Sequence, residues 1–209
     1  MPRRGPFGIC QGCSMRVGKA AMTAHLRKCL PGGATGVRSK ALLIRAHASG
    51  APMFWLDCTV TPKAKLKDLD RLLRRTWLEC CGHLSEFYGA GRRKVSMSMT
   101  IGQALGLARN SLNYEYDFGS TTALVITLSG AVEAAAGKPI RVVARNEPPT
   151  WRCEVCDQPA TRICAECVYQ GRGFCCPAHA TTHACGDEML LPVVNSPRMG
   201  VCGYTGEGS

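Results

Sequence analysis

The spacing of cysteine and histidine between Cys153 and Cys185 constrains the fold of this chain more than any other feature. The segment reads C-E-V-C, seven residues, C-A-E-C, seven residues, and then C-C-P-A-H-A-T-T-H-A-C. Two C-x2-C pairs followed by a third Cys/His group provide the thiolate and imidazole ligands of tetrahedral zinc, at spacings that fold a short chain around one ion. The pattern therefore predicts a small zinc-binding module.

Eight ligands would fill two zinc sites in this segment. The predicted ligands are Cys153, Cys156, Cys164, Cys167, Cys175, His179, His183 and Cys185. Cys176 is an alternative to Cys175, because both precede His179 at a suitable distance. The sites could follow one another along the chain or form a cross-brace, which we favour, in which the first and third groups share one ion and the second group takes His183 and Cys185. This spacing resembles that of the MYND and HIT zinc modules over residues 149–188.

Two other interpretations of these cysteines are less well supported than zinc binding. A secreted domain stapled by disulfides is also rich in cysteine, but C-x2-C pairs more often indicate metal or redox chemistry in a reducing compartment. A thioredoxin-like dithiol has one such pair at the start of a helix, whereas two pairs recur here with further ligands. Zinc held by four protein ligands leaves no position for water, so we expect this module to stabilise the fold and not to catalyse.

A second Cys/His pattern lies near the N-terminus. Cys10 and Cys13 are followed, after eleven residues, by His25 and Cys29. The intervening segment from Lys19 is rich in helix formers, and in a helix His25 and Cys29 lie one turn apart on the same face. The pattern predicts a C-C-H-C zinc finger whose folding energy comes from the metal. A buried histidine among unrelated cysteines is the alternative.

The positive charge of the chain is concentrated around this finger. The formal net charge is +11, and residues 1–56 contain nine Lys or Arg and no Asp or Glu. Such a field attracts phosphate, so we predict a nucleic-acid partner with salt-dependent, largely sequence-independent affinity. The residues assigned to phosphate are Arg16, Lys19, Arg27 and Lys28. A solvated basic surface that keeps the protein in solution is the alternative.

Residues 39–148 predict an α+β domain, a mostly antiparallel sheet with helices on one side. A hairpin is predicted over residues 41–47 and 53–60, with Phe54, Leu56, Cys58 and Val60 on one face. A helix opens at Thr61-Pro62, runs to Cys80 and ends at Gly82, and Thr100 caps a shorter helix that ends at Leu107. Further strands are predicted after His83, on both sides of Gly119 and over residues 140–146.

The middle of the chain also resembles a known family. The sequence W-L-E-C-C-G followed by H-L-S-E-F, and above all Y-E-Y-D-F-G from Tyr114 to Gly119, are similar to the Ri-plasmid open-reading-frame-three-like family, some members of which are named TnpR passengers of insertion elements. The family usually follows that glycine with an acid and then a Trp, where this chain has Ser120 and Thr122. The resemblance implies an α+β module linked to mobile-element genes and plasmids, without an established reaction.

An enzyme remains a rival hypothesis. Glu115 and Asp117 lie on one face of a predicted strand, and with His83 they could transfer protons if they met in one cleft. A structural role is the stronger interpretation: aromatic neighbours pack the sheet, and Asp117 accepts backbone N–H groups at the Gly119 turn. We therefore expect no catalytic residues.

The sequence thus predicts three parts and a tail. Residues 1–38 form a basic zinc finger, 39–148 the α+β domain, 149–188 the two-zinc cross-brace and 189–209 a tail that packs back on the protein or is partly disordered. The expected cofactor is about three zinc ions. The absence of a signal-peptide core after Met1 predicts a cytoplasmic protein. The predicted function is that of a non-enzymatic adaptor that contacts nucleic acid through the finger and a protein through the cross-brace, and the alternative is a protein-only adaptor.

Overall fold

The computed structural model describes residues 7–32 and 37–206. Arg3 and Arg4, which belong to the predicted basic finger, lie outside the described residues. The chain forms two compact units, one made of described residues within 7–73 and 84–147, the other of residues 74–83 and 148–206.

The larger unit is built on one antiparallel sheet. Its described strands are β1 (Phe7–Cys10), β2 (Arg16–Gly18), β3 (Arg38–Ala48), β4 (Trp55–Val60), β5 (Ser85–Tyr88), β6 (Lys94–Val95), β7 (Ser111–Tyr116), β8 (Thr122–Ala135) and β9 (Ile140–Asn146). The strand order is β2-β1-β9-β4-β3-β8-β7-β5-β6, and every neighbouring pair is antiparallel. The prediction of an α+β fold with a mostly antiparallel sheet is confirmed.

The predicted hairpin corresponds to β3 and β4, but its burial differs from the expectation. All six residues of β4 are buried, because β4 lies between β3 and β9 in the middle of the sheet. Even Asp57 is fully buried, and its carboxylate accepts two hydrogen bonds of 2.8 Å from the Arg45 guanidinium. The predicted face of Phe54, Leu56, Cys58 and Val60 is buried, and the other face of this central strand is buried as well.

Three helices accompany this sheet: α1 (Lys19–Gly32), α2 (Leu66–Leu73) and α3 (Ile101–Leu107). Thr100 caps α3 as predicted, in a capping box with Gln103. The regular part of the predicted long helix ends earlier than expected, at Leu73. A π-type turn over Arg74–Leu78 follows, in which the N–H of Glu79 donates to the carbonyl of Arg74. Among the described residues, no helix combines the length and apolar composition of a membrane span.

The predicted finger is part of the large sheet and not a separate domain. Strand β1 pairs with β9, and the N–H of Gln11 donates to the carbonyl of Val143. On α1, Met22 and Leu26 are fully buried and pack in one apolar cluster with Trp55. Burial of two such side chains stabilises by roughly 3–6 kcal/mol, so the finger does not depend on metal alone.

The smaller unit contains the predicted zinc module and the tail. A three-stranded antiparallel sheet has the order β11-β10-β12, from β10 (Arg162–Cys164), β11 (Phe174–Cys175) and β12 (Leu190–Pro192). A single turn of helix, α4 (Pro177–Ala180), follows β11. Because β12 lies in the predicted tail, the start of that tail packs on the zinc module as a strand.

Gly8 provides a test of how the finger joins the sheet. A Cβ at Gly8 would lie 2.5 Å from the carbonyl oxygen of Arg145 and 2.6 Å from the ring of buried Trp55, whereas a Cβ at Gly18 meets nothing closer than 3.9 Å. Gly8→Ala is expected to lower the free energy of unfolding by about 1–3 kcal/mol because it overpacks this contact. Gly18→Ala, in the same hairpin, is the matched control and should change it by less than about 0.5 kcal/mol. Denaturant unfolding measures both, and equal effects would contradict the docking of β1 on β9.

Candidate metal centres

Cluster 1 consists of Cys10, Cys13, His25 and Cys29. Its four ligand atoms lie within 4.8 Å of one another, with Cys10 Sγ 3.7 Å from Cys29 Sγ and Cys13 Sγ 3.3 Å from His25 Nε2. The structure thus brings together the four residues that the finger pattern predicts.

The backbone structure alone brings these four ligand groups together. Cys10 ends β1, and the turn to Cys13 is closed because the N–H of Ser14 donates to the carbonyl of Cys10. His25 and Cys29 lie four residues apart on α1, so one face of the helix carries both. The packing of α1 on the sheet then holds the second pair of ligands over the first.

Cluster 2 consists of Cys153, Cys156, Cys176 and His179. Nδ1 of His179 lies 3.5 Å from Cys153 Sγ and 3.3 Å from Cys176 Sγ, and Cys156 Sγ lies 3.7 Å from Cys176 Sγ. Cys176 immediately precedes α4, and His179 lies on that helix, so a single turn supplies two ligands.

Cluster 3 consists of Cys164, Cys167, His183 and Cys185. Cys167 Sγ lies 3.6 Å from His183 Nε2 and 3.7 Å from Cys185 Sγ. The backbone N–H of Cys167 donates to Cys164 Sγ at 3.5 Å, and this hydrogen bond closes the turn of the second C-x2-C pair. Clusters 2 and 3 together have the cross-brace order. The first C-x2-C pair joins Cys176 and His179, and the second C-x2-C pair joins His183 and Cys185.

Cys176, and not Cys175, lies in cluster 2. Cys175 belongs to β11 and Cys176 is the next residue, and successive side chains of an extended chain point to opposite sides. Cys175 Sγ therefore lies beside cluster 3, 3.8 Å from Nδ1 of His183, whose Nε2 faces the ligand sulfurs. The structure thus groups His179 with Cys176, the alternative ligand, and not with Cys175, the preferred one. Cys175 instead contacts Nδ1 of His183, the ring nitrogen that faces away from the ligand sulfurs, as supporting groups around zinc commonly do.

These separations are those of a zinc tetrahedron. Zn–S bonds of about 2.3 Å and Zn–N bonds of about 2.0 Å imply edges of roughly 3.8 Å between two sulfurs and roughly 3.5 Å between sulfur and nitrogen. The observed edges are 3.7 Å for sulfur pairs and 3.3–3.6 Å for sulfur–nitrogen pairs. All fourteen cysteines are free, and a disulfide would need sulfurs at about 2.05 Å. The clusters are compatible with zinc binding.

The pKa values of the thiols show an electrostatic conflict within each cluster. Burial acts to raise the pKa of Cys153, but three backbone N–H groups donate to its sulfur and lower the pKa to about 6. Two backbone N–H groups likewise outweigh burial at Cys164 and lower its pKa to about 7. Burial and neighbouring cysteines raise the pKa of Cys167, and also that of Cys29, to about 12. Because one thiolate disfavours a second beside it, a divalent cation is needed to ionise the whole set.

The basic residues assigned to phosphate differ in their availability. The Nε of Arg16 lies 2.7 Å from Glu147 Oε1, and Lys19 Nζ donates to the carbonyl of Pro52. Burial lowers the pKa of Lys19. Arg27 Nη2 donates to the carbonyl of Ser129.

Lys28 is exposed on α1, one residue before the ligand Cys29. Its charge is therefore presented to solvent.

The three candidate proton-transfer residues have different surroundings. Both oxygens of Glu115 accept hydrogen bonds from Arg92, at 2.9 and 3.1 Å. Asp117 accepts the N–H of Gly119 at 3.0 Å, as the turn interpretation predicts. His83 lies among cysteine sulfurs, with Nε2 2.9 Å from Cys81 Sγ. These contacts favour structural roles.

One group of ligands was missed by sequence reasoning. Cluster 4 consists of Cys80, Cys81, His83 and Cys202. The order C-C-G-H from Cys80 to His83 contains the signal, since three potential ligands, two cysteines and a histidine, occur within four residues. By itself the segment indicates a helix end and a strand start, because Cys202, the fourth ligand, is more than a hundred residues away in the sequence.

Cys175 and Cys176 provide a matched test of cluster 2. Cys176→Ser is expected to reduce the zinc content by one ion per chain, because one of four ligands is lost, whereas Cys175→Ser should leave the content unchanged. Elemental analysis of the purified chain with a protein-concentration standard measures both. Loss of zinc from Cys175→Ser with retention in Cys176→Ser would contradict the grouping.

Comparison with known proteins gives little guidance. No protein-family model matches the chain, and no curated protein matches it. Among solved structures, the chain is similar to a Methanosarcina mazei Go1 protein described as of unknown function, with 17% sequence identity and a TM-score of 0.41 over 50% of this chain and 67% of that chain. The function must therefore be argued from the Cys/His clusters themselves.

Proposed function

We propose that the protein is a zinc-stabilised, non-enzymatic adaptor that associates with nucleic acid through its basic N-terminal finger and with a protein through its cross-brace module. Zinc in clusters 1 to 3 is part of this proposal. The observation that carries it is the composition of the clusters, each of which offers three thiols and one imidazole. Catalytic zinc sites keep a position open for water, whereas four protein ligands fill the tetrahedron.

The charge distribution supports a nucleic-acid partner for the finger. In the part of the chain up to residue 56, all nine charged side chains are cationic. Arg27 and Lys28 are exposed on α1, and Arg38 and Lys40 are exposed on β3 of the same unit. Cations fixed on a helix and a strand can neutralise several phosphates at once and release their counterions.

Exposed apolar side chains support a protein partner for the cross-brace module. Val155, inside the first C-x2-C pair, is 70% exposed, and Tyr169, in the turn after Cys167, is 64% exposed. Tyrosine and apolar side chains on a rigid scaffold are common anchors of protein interfaces. If the finger does not bind nucleic acid, this surface supports the alternative of a protein-only adaptor.

Two parts of the proposal rest on the sequence alone. A cytoplasmic location is supported by the many free thiols, because cysteines that serve as metal ligands are typical of reducing compartments. A link to mobile elements is supported by the resemblance of the Tyr114–Gly119 segment to the plasmid family.

Lys28 and Arg71 provide a matched test of nucleic-acid binding. Lys28 is exposed on the finger helix, and Arg71 on α2 has a side chain 74% exposed. Lys28→Ala should weaken binding to a labelled oligonucleotide and reduce the salt slope by about 1, as expected for one lost phosphate contact. Arg71→Ala should have no such effect. Fluorescence anisotropy at several salt concentrations, with single-stranded and duplex probes, measures both.

Three results would separate the hypotheses. Unchanged zinc content in Lys28→Ala would show that the finger is intact. Equal weakening by both substitutions would indicate attraction by overall charge and contradict a role for the finger. Absence of salt-dependent binding by the unsubstituted chain would contradict the nucleic-acid proposal and favour the protein-only adaptor.

A further inference from the structure

Cluster 4 joins two distant segments of the smaller unit. Cys80, Cys81 and His83 follow the π-type turn, and Cys202 lies close to the end of the described chain. Cys202 Sγ lies 3.6 Å from Cys81 Sγ and 3.2 Å from His83 Nε2, and Cys80 Sγ lies 3.8 Å from Cys81 Sγ. All four ligand atoms lie within 4.8 Å of one another.

The geometry is that of metal ligands and not of a disulfide. Sulfur pairs at 3.6 and 3.8 Å have the edge length of a zinc tetrahedron, roughly 3.8 Å. The edges to His83, 2.9 and 3.2 Å, are shorter than the roughly 3.5 Å of a zinc tetrahedron, so the ring would move outward by a few tenths of an ångström to admit an ion. A disulfide would need Cys81 and Cys202 sulfurs at about 2.05 Å.

The first three ligands lie on a loop that is fixed by its own hydrogen bonds. The guanidinium of Arg74 donates to Glu79 Oε2 at 2.9 Å and to the carbonyl of His83 at 2.6 Å. The other oxygen of Glu79 accepts the N–H of Gly82 at 2.6 Å. Gly82 has a φ of 77°, which lets the chain turn between Cys81 and His83. The loop therefore presents its three ligands without help from the fourth.

The fourth ligand is delivered by a buried part of the tail. Ser196 is fully buried, and its hydroxyl donates to the carbonyl of Trp77 at 2.6 Å. Arg198 is also fully buried, and its Nη2 lies 3.6 Å from Cys80 Sγ. Cys202 has a φ of 52°, a conformation that costs free energy in a residue other than glycine and persists where surrounding contacts enforce it.

The buried cation provides charge compensation. Three thiolates and one zinc ion leave a net charge of about −1, and a guanidinium hydrogen-bonded to a ligand sulfur offsets that charge. Arg198 is in position to do this at Cys80. The ligand set, three cysteines and one histidine, is also the one found in clusters 1, 2 and 3.

From these observations we infer that cluster 4 is a fourth structural site for zinc or a similarly soft divalent cation, and that the ion anchors the C-terminal tail to the Arg74–His83 loop. Cys202 is distant in sequence from the other three ligands, and none of the four belongs to the cross-brace, so the site acts as a cross-link between the two segments. None of its four ligands is buried, whereas clusters 1, 2 and 3 each contain at least one buried cysteine. Its ion should therefore be the first to be removed by a chelator.

The zinc content of the full chain tests this inference. Native mass spectrometry should find about four zinc ions in the unsubstituted protein and three in Cys202→Ser. Cys202→His should restore the fourth ion, since histidine supplies an imidazole and tolerates positive φ better than most residues. Thr205→Ala, at a nearby exposed position, is the control and should retain four. Hydrogen exchange of residues 193–206 should become faster in Cys202→Ser alone.

Two results would overturn the fourth site. The first is an unsubstituted protein with three ions, the same number as Cys202→Ser. The second is a disulfide between Cys81 and Cys202 in protein that retains its other ions. Either leaves zinc in clusters 1 to 3 standing, whereas a folded protein without any zinc would contradict both proposals. If Cys202→Ser loses more than one zinc ion, the zinc content of Cys202→His decides between the outcomes. The fourth site requires that Cys202→His hold four zinc ions.

Discussion

The proposed zinc centres depend on one electrostatic constraint: clustered thiols cannot all be ionised side by side without a cation between them. Each Cys/His cluster brings three sulfurs and one ring nitrogen within 4.8 Å, and in cluster 3 the pKa of Cys164 is lowered while that of Cys167 is raised. A divalent ion reverses the sign of this interaction, from repulsion between ligands to attraction by a shared centre. The free energy so gained is large, about 10–16 kcal/mol in zinc-finger peptides at neutral pH, and exceeds what a few buried side chains contribute.

The two units use this interaction differently. In the larger unit, a nine-stranded sheet buries large side chains such as Trp55, Met22 and Leu26, and cluster 1 lies beside an apolar core that is already extensive. In the smaller unit, the apolar cluster around cluster 3 consists of Cys164, Cys167, Cys175 and Leu190, with Ala180 and Cys185 at its edge. Three of these six are candidate ligands of cluster 3. A metal ion there would add to the apolar side chains that the unit buries elsewhere, such as Trp77, Ile163 and Tyr204. In the proposal, loss of zinc therefore disturbs the apolar cluster of the smaller unit more directly than the core of the larger unit.

Local spacing predicted much of this arrangement, and contacts between distant segments account for what was missed. The hairpin β3–β4, the Thr100 cap and the cross-brace order all follow from residues within about one turn or one loop of each other. The choice of Cys176 over Cys175 depends on which side of β11 each sulfur faces. The sequence of two adjacent cysteines does not indicate which of them faces cluster 2. Docking of the finger on β9 and of Cys202 on the Cys80–His83 loop involves partners separated by more than a hundred residues, which one sequence does not reveal.

X-ray absorption at the zinc edge of the purified full chain tests the central claim most directly. With every ion in a site of three cysteines and one histidine, the averaged first shell should contain three sulfurs at about 2.3 Å and one nitrogen at about 2.0 Å. No oxygen from water should be needed to fit it. A folded protein that contains no metal, or one whose zinc carries a water oxygen and fewer than three sulfurs, would contradict the account.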